Sequence, residues 1–207
     1  MKLPSARAVT LLGAVLAGGL AAWWSTNLEA QKFPIPSRST SILLSRDDSR
    51  LFVVNRETNS LSIIQVRGSK SPITDTATKL AEVVVGQEPR CVALHPKERE
   101  AYVTNTVSGT VSVIDVSKPA QARVVAEIAV GTEPRGCALS PSGRLLFVTN
   151  HTAGNLSVID TTTRTVTNTV AIGGKPQAIA VTNDGDGDDS DETVYVAWFF
   201  ASPRTGG

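Results

Sequence analysis

Few residues in this 207-residue sequence can carry metal or nucleophilic chemistry. Only two cysteines and two histidines occur, so the cysteines cannot build a four-thiolate zinc site or a disulfide framework. The sequence has no CxxCH haem motif, HExxH zinc motif, P-loop or dinucleotide fingerprint, and no serine lies in a G-x-S-x-G turn. We therefore predict no catalytic residue, no enzyme activity and no cofactor, apart from a candidate calcium site considered below.

An excess of charge of either sign is also lacking. Lysine and arginine number 20 against 19 aspartate and glutamate residues, and the net charge is +1. This balance excludes the sequence-independent phosphate binding of basic DNA and RNA readers, so we expect no nucleic-acid partner. With 41% hydrophobic and 19% charged residues, the composition is that of an ordinary globular domain.

The N-terminus has the pattern of an export signal. Lys2 and Arg7 precede an uncharged apolar run over residues 8–22, and small residues favour cleavage after Ala21. The run is short beside the roughly 20 residues that cross a bilayer, although an uncleaved anchor remains the alternative. We assign residues 1–30 to the signal or anchor and residues 31–38 to a linker. The protein is expected to be periplasmic, secreted or on the cell surface, with membrane contact only through an uncleaved N-terminus.

From residue 39 to residue 207 the sequence repeats itself with a period in the forties. One five-residue phrase occurs as LFVVN, AYVTN, LFVTN and, more loosely, VYVAW at residues 51–55, 101–105, 146–150 and 194–198. Ten residues after the asparagine of each full copy, a second apolar run ends at Gln65, Asp115 and Asp160. A third phrase, VVVGQEPR, IAVGTEPR or VAIGGKPQ, then ends at residues 90, 135 and 177.

Each apolar run reads as a short β-strand. The runs are five to seven residues long, rich in Val, Ile, Thr, Phe and Tyr, and bounded by Gly, Pro, Asn, Asp or Ser. A four-stranded sheet of this size cannot bury both faces alone, so successive units must stack face to face around an axis. The predicted fold is an all-β propeller of four-stranded antiparallel blades, with about three full blades and the start of a fourth.

The phrases YVTN, VSVID and VGxxP, at these offsets, resemble the YVTN β-propeller repeat of surface-layer and periplasmic proteins. The resemblance implies a ring of about seven blades, so residues 39–207 look like an incomplete copy. We favour a truncated sequence over a ring that several copies of the chain complete, because a half-blade would leave an unpaired apolar edge.

One face of the predicted propeller collects cationic residues. The loops between the second and third elements of each unit should share a side with the GQEPR-type links between units. This side is the candidate ligand-binding face, and its residues are Arg56, Arg90, Arg135, His151 and Lys175. Arginines at a funnel mouth could hold a carboxylate or phosphate through bidentate bonds. Alternatively, Arg90 and Arg135 each pair with the glutamate two residues earlier.

The longest acidic segment, NDGDGDDSDE, contains a candidate calcium site. Asp184, Asp186 and Asp188 alternate as the oxygen ligands of calcium loops do. Asp189 and Tyr195, however, occupy the places where an EF-hand loop has Gly and Glu. A solvated acidic loop is therefore the alternative.

The two cysteines are predicted to be small core residues. Cys91 and Cys137 differ by one position when their repeats are aligned, and they belong to different units. We therefore expect no disulfide between them.

Three functions fit the predicted fold. The first is a non-catalytic binding or scaffold module whose partner is a protein, a glycan or a small ligand. The second is a fragment of a lactonase-like propeller enzyme. A cluster of buried carboxylates near the channel would distinguish this enzyme from a binding module. A fragment of a propeller associated with a cytochrome is the third, and it would need a haem motif.

Overall fold

Four antiparallel sheets follow one another along the chain. The structure is a computed structural model, and it describes residues 37–38, 40–66, 77–185 and 188–199. The first sheet consists of β2 (Ile42–Leu44), β3 (Arg50–Asn55), β4 (Ser60–Gln65) and β5 (Thr78–Val84). The second consists of β6 (Pro89–Leu94), β7 (Glu100–Asn105), β8 (Thr110–Asp115) and β9 (Arg123–Ala129).

The third and fourth sheets continue this order. The third consists of β10 (Pro134–Leu139), β11 (Leu145–Asn150), β12 (Asn155–Asp160) and β13 (Thr165–Ala171). The fourth has three strands in the order β1 (Ser37–Arg38), β14 (Pro176–Val181) and β15 (Val194–Trp198). One short 3-10 helix, Pro119–Gln121, precedes β9. The all-β fold class is confirmed: the chain forms three full blades of a propeller and part of a fourth, called blades 1 to 4 below.

The first three blades share one strand register. Phe52 lies opposite Ile63 in blade 1, and Tyr102 lies opposite Val113 in blade 2. The equivalent pair in blade 3 is Phe147 and Val158. Because a slip of one residue would reverse the face of every side chain, this shared register gives all three blades the same pair of packing faces.

Adjacent blades bury their apolar faces against each other. Phe52, Leu61 and Ile63 of blade 1 pack in one cluster with Val92 and Val103 of blade 2. Equivalent clusters join blade 2 to blade 3, around Tyr102 and Leu146, and blade 3 to blade 4. The core is therefore a series of layers between sheets.

Equivalent positions at the two ends of the series show what the stacking buries. Val92 in blade 2 is 0% exposed, whereas Ile42 at the same register position of blade 1 is 54% exposed. Tyr102 faces blade 3 and is 0% exposed, whereas Tyr195 of blade 4 is 62% exposed. The outward faces of blades 1 and 4 thus have the apolar character of faces that the inner blades bury.

The asparagine of the YVTN phrase anchors a turn and receives the preceding link. Asn105 donates to Thr110 Oγ1 at 3.0 Å and to Ser112 Oγ at 2.8 Å. A Cβ atom on Gly86, in the link before blade 2, would lie 2.7 Å from the Asn105 side chain. Gly131 and Asn150 repeat this arrangement in blade 3. The VG and YVTN phrases recur together because they are in contact.

The threonine of the same phrase connects neighbouring blades. Thr104 Oγ1 donates to the carbonyl of Arg135 at 2.9 Å and accepts from the Cys91 N–H at 3.2 Å. Thr149 donates to the carbonyl of Gln177 at 3.2 Å. Blade 1 has Val54 at this position, so it cannot form this bond to blade 2.

The predicted signal or anchor, residues 1–30, lies outside the described residues. Of the predicted linker, Ser37 and Arg38 are described, and they pair as β1 with β14. The Thr40 carbonyl then accepts the Val92 N–H at 2.8 Å, so this segment passes from the inner strand of blade 4 to that of blade 2. Within the described ranges, no helix is long and apolar enough to span a membrane.

The two tyrosines of the chain test the stacking of the blades. In the 207-residue chain, Tyr102→Ala is expected to lower the free energy of unfolding by about 3–5 kcal/mol, because it empties a buried site. Tyr195→Ala should change it by less than about 0.5 kcal/mol, because that side chain is mostly exposed. Denaturant titrations of both variants measure the difference. Equal losses would contradict the blade arrangement.

Candidate functional site

The links between blades and the loops that follow the YVTN phrase lie on one face. The Thr106 N–H donates to the carbonyl of Glu88 at 3.0 Å, which joins the loop after β7 to the link before β6. The His151 N–H makes the equivalent bond to Glu133 at 2.9 Å in blade 3. The cationic residues predicted from the sequence belong to these links and loops and to the second positions of the inner strands.

An axial cavity of about 440 Å³ opens between the inner strands. Its lining comes from the inner strands of blades 2, 3 and 4, the loop after β3 and the segment before β2. The lining residues are Thr40, Ser41, Arg56, Arg90, Cys91, Arg135, Gly136, Gln177 and Ala178. Of the five predicted binding residues, the structure thus brings three arginines to one cavity.

Two of these arginines hold equivalent positions. Arg90 and Arg135 are the second residues of β6 and β10, directly after the proline of the link, and Gln177 is the equivalent residue of β14. Arg135 Nη1 donates to Gln177 Oε1 at 3.3 Å. Arg56 reaches the cavity from a different place, since it directly follows β3.

Two glutamates balance part of the arginine charge. Glu88 Oε2 lies 3.5 Å from Arg56 Nη2 and 4.0 Å from Arg90 Nη2, so one carboxylate is shared between two guanidinium groups. Glu133 Oε2 lies 3.9 Å from Arg135 Nη2. The pairing of each arginine with the glutamate two residues earlier is therefore present, but at long distances. The three guanidinium groups therefore exceed the two carboxylates by one positive charge.

The backbones of the two glutamates are unusual. Glu88 and Glu133 have φ angles of 51° and 56°, in the left-handed region that non-glycine residues seldom occupy. The Glu88 N–H is held by Asn59 Oδ1 at 2.9 Å. The same conformation recurs in other turns of the repeat, at Asp48, Asn59, Glu98 and Arg164, so it does not distinguish the candidate site.

The arginine cluster has unmet hydrogen-bonding capacity. Among the described residues, the Nε atoms of Arg90 and Arg135 are buried and have no hydrogen-bond partner. Burial, followed by the charges of Arg56 and Arg135, lowers the pKa of Arg90. An anion in the cavity would supply acceptors to these groups and relieve the repulsion between them.

His151 and Lys175 lie beside this cavity and do not line it. His151 is buried, its Nδ1 is 3.2 Å from the carbonyl of Pro176, and its ring meets that of Phe199 edge to face at 6.4 Å between centroids. Burial, and then the charge of Arg135, lower the pKa of His151. Lys175 is exposed, and its carbonyl accepts the Phe199 N–H at 3.0 Å.

Sequence reasoning missed several lining residues. Gln177 could have been found, because it replaces the arginine of the preceding repeats in the phrase VAIGGKPQ. Cys91 follows Arg90 directly, and it was predicted as a small core residue on a strand that lines the axis, without a place in the candidate ligand-binding face. Thr40 and Ser41 precede the first recognisable phrase, so no repeat position indicated that they reach the axis.

The acidic loop is described only in part. Asp186 lies outside the described residues, so the candidate calcium site of Asp184, Asp186 and Asp188 stays a prediction. Asp188 accepts the Ser190 N–H at 2.7 Å, and this bond lowers its pKa. The neighbouring Asp189 accepts from Ser142 of the turn between β10 and β11. Within the described part of the chain, no three His, Cys, Asp or Glu residues are grouped to hold a metal ion.

Comparison with known families gives one match over about half of the chain. The model described as "Lactonase, 7-bladed beta-propeller" matches residues 17–122. No curated protein sequence matches the chain. The narrower likeness to YVTN repeats is not shown by these comparisons and stays a prediction.

Several solved propellers share the fold at low sequence identity. The hydrazine synthase of Kuenenia stuttgartiensis is 23% identical with a TM-score of 0.57, over 75% of this chain and 48% of that one. The periplasmic gluconolactonase of Pseudomonas aeruginosa is 20% identical with a TM-score of 0.57, over 77% and 42%. A candidate 6-phosphogluconolactonase of Bacteroides uniformis is 16% identical with a TM-score of 0.62, over 78% and 48%. The chain thus spans less than half the length of these structures, and the identities show the fold alone.

Titration of His151 tests the electrostatics of the site. Because a nearby positive charge disfavours the imidazolium form, Arg135→Gln is expected to raise the pKa of His151. With only two histidines in the chain, two-dimensional NMR resolves both titrations, and His95 serves as the internal reference. Arg123→Gln, on an exposed outer strand, is the matched control. An unchanged His151 midpoint in Arg135→Gln would contradict the described geometry.

Proposed function

Because the chain belongs to the family of seven-bladed β-propeller lactonases, we propose that its axial cavity binds a sugar-acid lactone that the complete ring hydrolyses. The anionic groups held there are the phosphate of a phosphorylated lactone and the carboxylate that ring opening produces. The convergence of Arg56, Arg90 and Arg135 on one cavity is the observation that carries this proposal. The volume of about 440 Å³ lies in the usual range of small-ligand sites, roughly 300–1,000 Å³.

The chemistry of the arginines suits this ligand. Guanidinium groups form bidentate bonds with carboxylates and phosphates. Within the described part of the chain, the Nε donors of Arg90 and Arg135 have no hydrogen-bond partner. Ring opening of a lactone passes through a tetrahedral oxyanion and ends in a carboxylate. Fixed cationic donors stabilise both species because they need no reorganisation as negative charge develops.

We assign binding and oxyanion stabilisation to these residues, and proton transfer to none of them. The carboxylates on the rim of the cavity, Glu88 and Glu133, are engaged with arginines. A non-catalytic anion-binding module is the second candidate, and the absence of a carboxylate from the cavity lining of the described chain favours it. The candidate calcium ion and any protein or glycan partner also stay proposals.

We place the protein outside the cytoplasm. The basic and apolar pattern of residues 1–30 supports export, and one similar structure is that of a periplasmic gluconolactonase. We therefore expect the cavity to meet sugar acids of the periplasm or the cell exterior.

Binding of 6-phosphogluconate and gluconate to the 207-residue chain tests the proposal. Isothermal titration calorimetry is expected to show binding that weakens roughly 10- to 100-fold in Arg90→Gln and in Arg135→Gln, because each loses a charged donor. Arg123→Gln, which removes the same charge from an exposed outer strand, should leave the affinity unchanged.

Lactone hydrolysis, measured on a protein that has the complete ring, distinguishes the two candidate functions. Acid release from glucono-lactone and 6-phosphoglucono-lactone, faster than the spontaneous reaction and slowed by Arg90→Gln, supports the lactonase. Binding without such acceleration supports the non-catalytic module. Absence of binding, or equal affinities in all three arginine variants, would overturn the anion site itself.

A further inference from the structure

The two cysteines of the chain meet between blades 2 and 3. Cys91 Sγ and Cys137 Sγ are 2.8 Å apart, although 46 positions separate the residues in sequence. Both are free thiols, with 2% and 0% of their surfaces exposed. A disulfide needs about 2.05 Å between sulfurs, so the atoms must approach by less than about 1 Å to bond.

The alternation of side chains along a strand explains this meeting. Cys91 pairs with Thr104 in blade 2, whereas Cys137 pairs with Val148 in blade 3, one register position further along. Successive strand residues point to opposite faces, so Cys91 faces blade 3 and Cys137 faces back towards blade 2. The one-residue offset and the different blades, taken from the sequence as reasons against contact, are what bring the thiols together.

The surroundings of the two sulfurs differ. Cys91 Sγ accepts from the Cys137 N–H at 3.1 Å and the Thr40 N–H at 3.3 Å, as well as from the Cys137 thiol. Burial opposes ionisation of Cys91, but these hydrogen bonds outweigh it and lower its pKa. Burial and the neighbouring sulfur raise the pKa of Cys137. Cys91 also lines the axial cavity, and Cys137 does not.

We propose that Cys91 and Cys137 form a reversible disulfide that joins the inner strands of blades 2 and 3, with Cys91 reacting first through the axial cavity. The oxidant is a small disulfide, RSSR. Cys91 gives its proton to solvent, and its thiolate attacks one sulfur of RSSR, forms a Cys91–SR mixed disulfide and releases RS⁻, which takes up a proton. Cys137 then gives its proton to RS⁻ or solvent and attacks Cys91 sulfur, which releases the second RS⁻. The balance is two protein thiols and RSSR giving one protein disulfide and two RSH.

The bond would constrain the fold at the wall of the candidate site. It closes a long loop of chain that includes all of β7, β8 and β9, so it removes conformational freedom from the unfolded state. It also fixes the residue directly after Arg90 and the residue two positions after Arg135. Oxidation should therefore stabilise the part of the propeller that holds two of the three arginines.

Peptide mapping of the wild-type 207-residue chain tests the proposal. After incubation with oxidised glutathione and alkylation of free thiols in denaturant, mass spectrometry is expected to find Cys91 and Cys137 peptides linked within one chain. The oxidised protein should contain no disulfide between chains and melt roughly 10 °C higher than the reduced protein. A double variant, Cys91→Ser with Cys137→Ser, should show no such rise. Complete alkylation of both thiols, or a link between chains, would overturn the proposal.

Single variants test the order of reaction. Cys137→Ser is expected to gain one glutathione on Cys91, because its resolving thiol is absent, whereas Cys91→Ser should leave Cys137 reduced. Circular dichroism checks that both variants fold, and the wild-type mapping stands without them. Preferential modification of Cys137, or equal modification of the two variants, would refute the assignment of Cys91 as the first to react.

Discussion

Stacking of one sheet on the next is the constraint on which the rest of the structure depends. In β7, Tyr102 and Val103 are neighbours in sequence, both are fully buried, and they belong to different clusters. Tyr102 packs towards blade 3 and Val103 towards blade 1. A single sheet with two apolar faces would leave large side chains of both faces in water, so it is not stable by itself. The blades therefore hold each other in place, and the axis between their inner strands is a consequence.

The repeated phrases of the sequence correspond to contacts that recur within and between the blades. Gly131 has no side chain because the Asn150 side chain occupies the space, and Asn150 in turn holds Ser157 at 2.8 Å. Thr149 reaches the carbonyl of Gln177 in the next blade. The second residues of the inner strands of blades 2, 3 and 4 include Arg135 and Gln177, which take part in this contact through their backbone carbonyls, so their side chains can vary between arginine and glutamine. The candidate site therefore consists of side chains that differ between blades, on a backbone arrangement that the repeated contacts keep the same.

Much of the fold could be predicted from the sequence because the repeat fixes both strand length and register. The phrase spacing predicted four-stranded blades. The shared face of links and loops was predicted to gather five cationic residues, of which Arg56, Arg90 and Arg135 line one cavity. Side-chain contacts across blades were less accessible. The cysteines were judged by their one-residue offset and their different blades, and the judgement ignored that facing sheets present opposite faces to each other. Ser41 gave no signal, since it precedes the first full phrase of the repeat.

The arginine cluster joins binding to stability. Three guanidinium groups share two carboxylates, and burial together with mutual repulsion lowers the pKa of Arg90, so the cluster carries an electrostatic cost. A ligand that binds only the folded state adds stability in proportion to the logarithm of its concentration above the dissociation constant. An anion would do this by filling the unmet donors of Arg90 and Arg135. The same inner strands are in contact at Cys91 and Cys137. A disulfide there would stabilise the folded state and so offset part of the electrostatic cost of the arginine cluster.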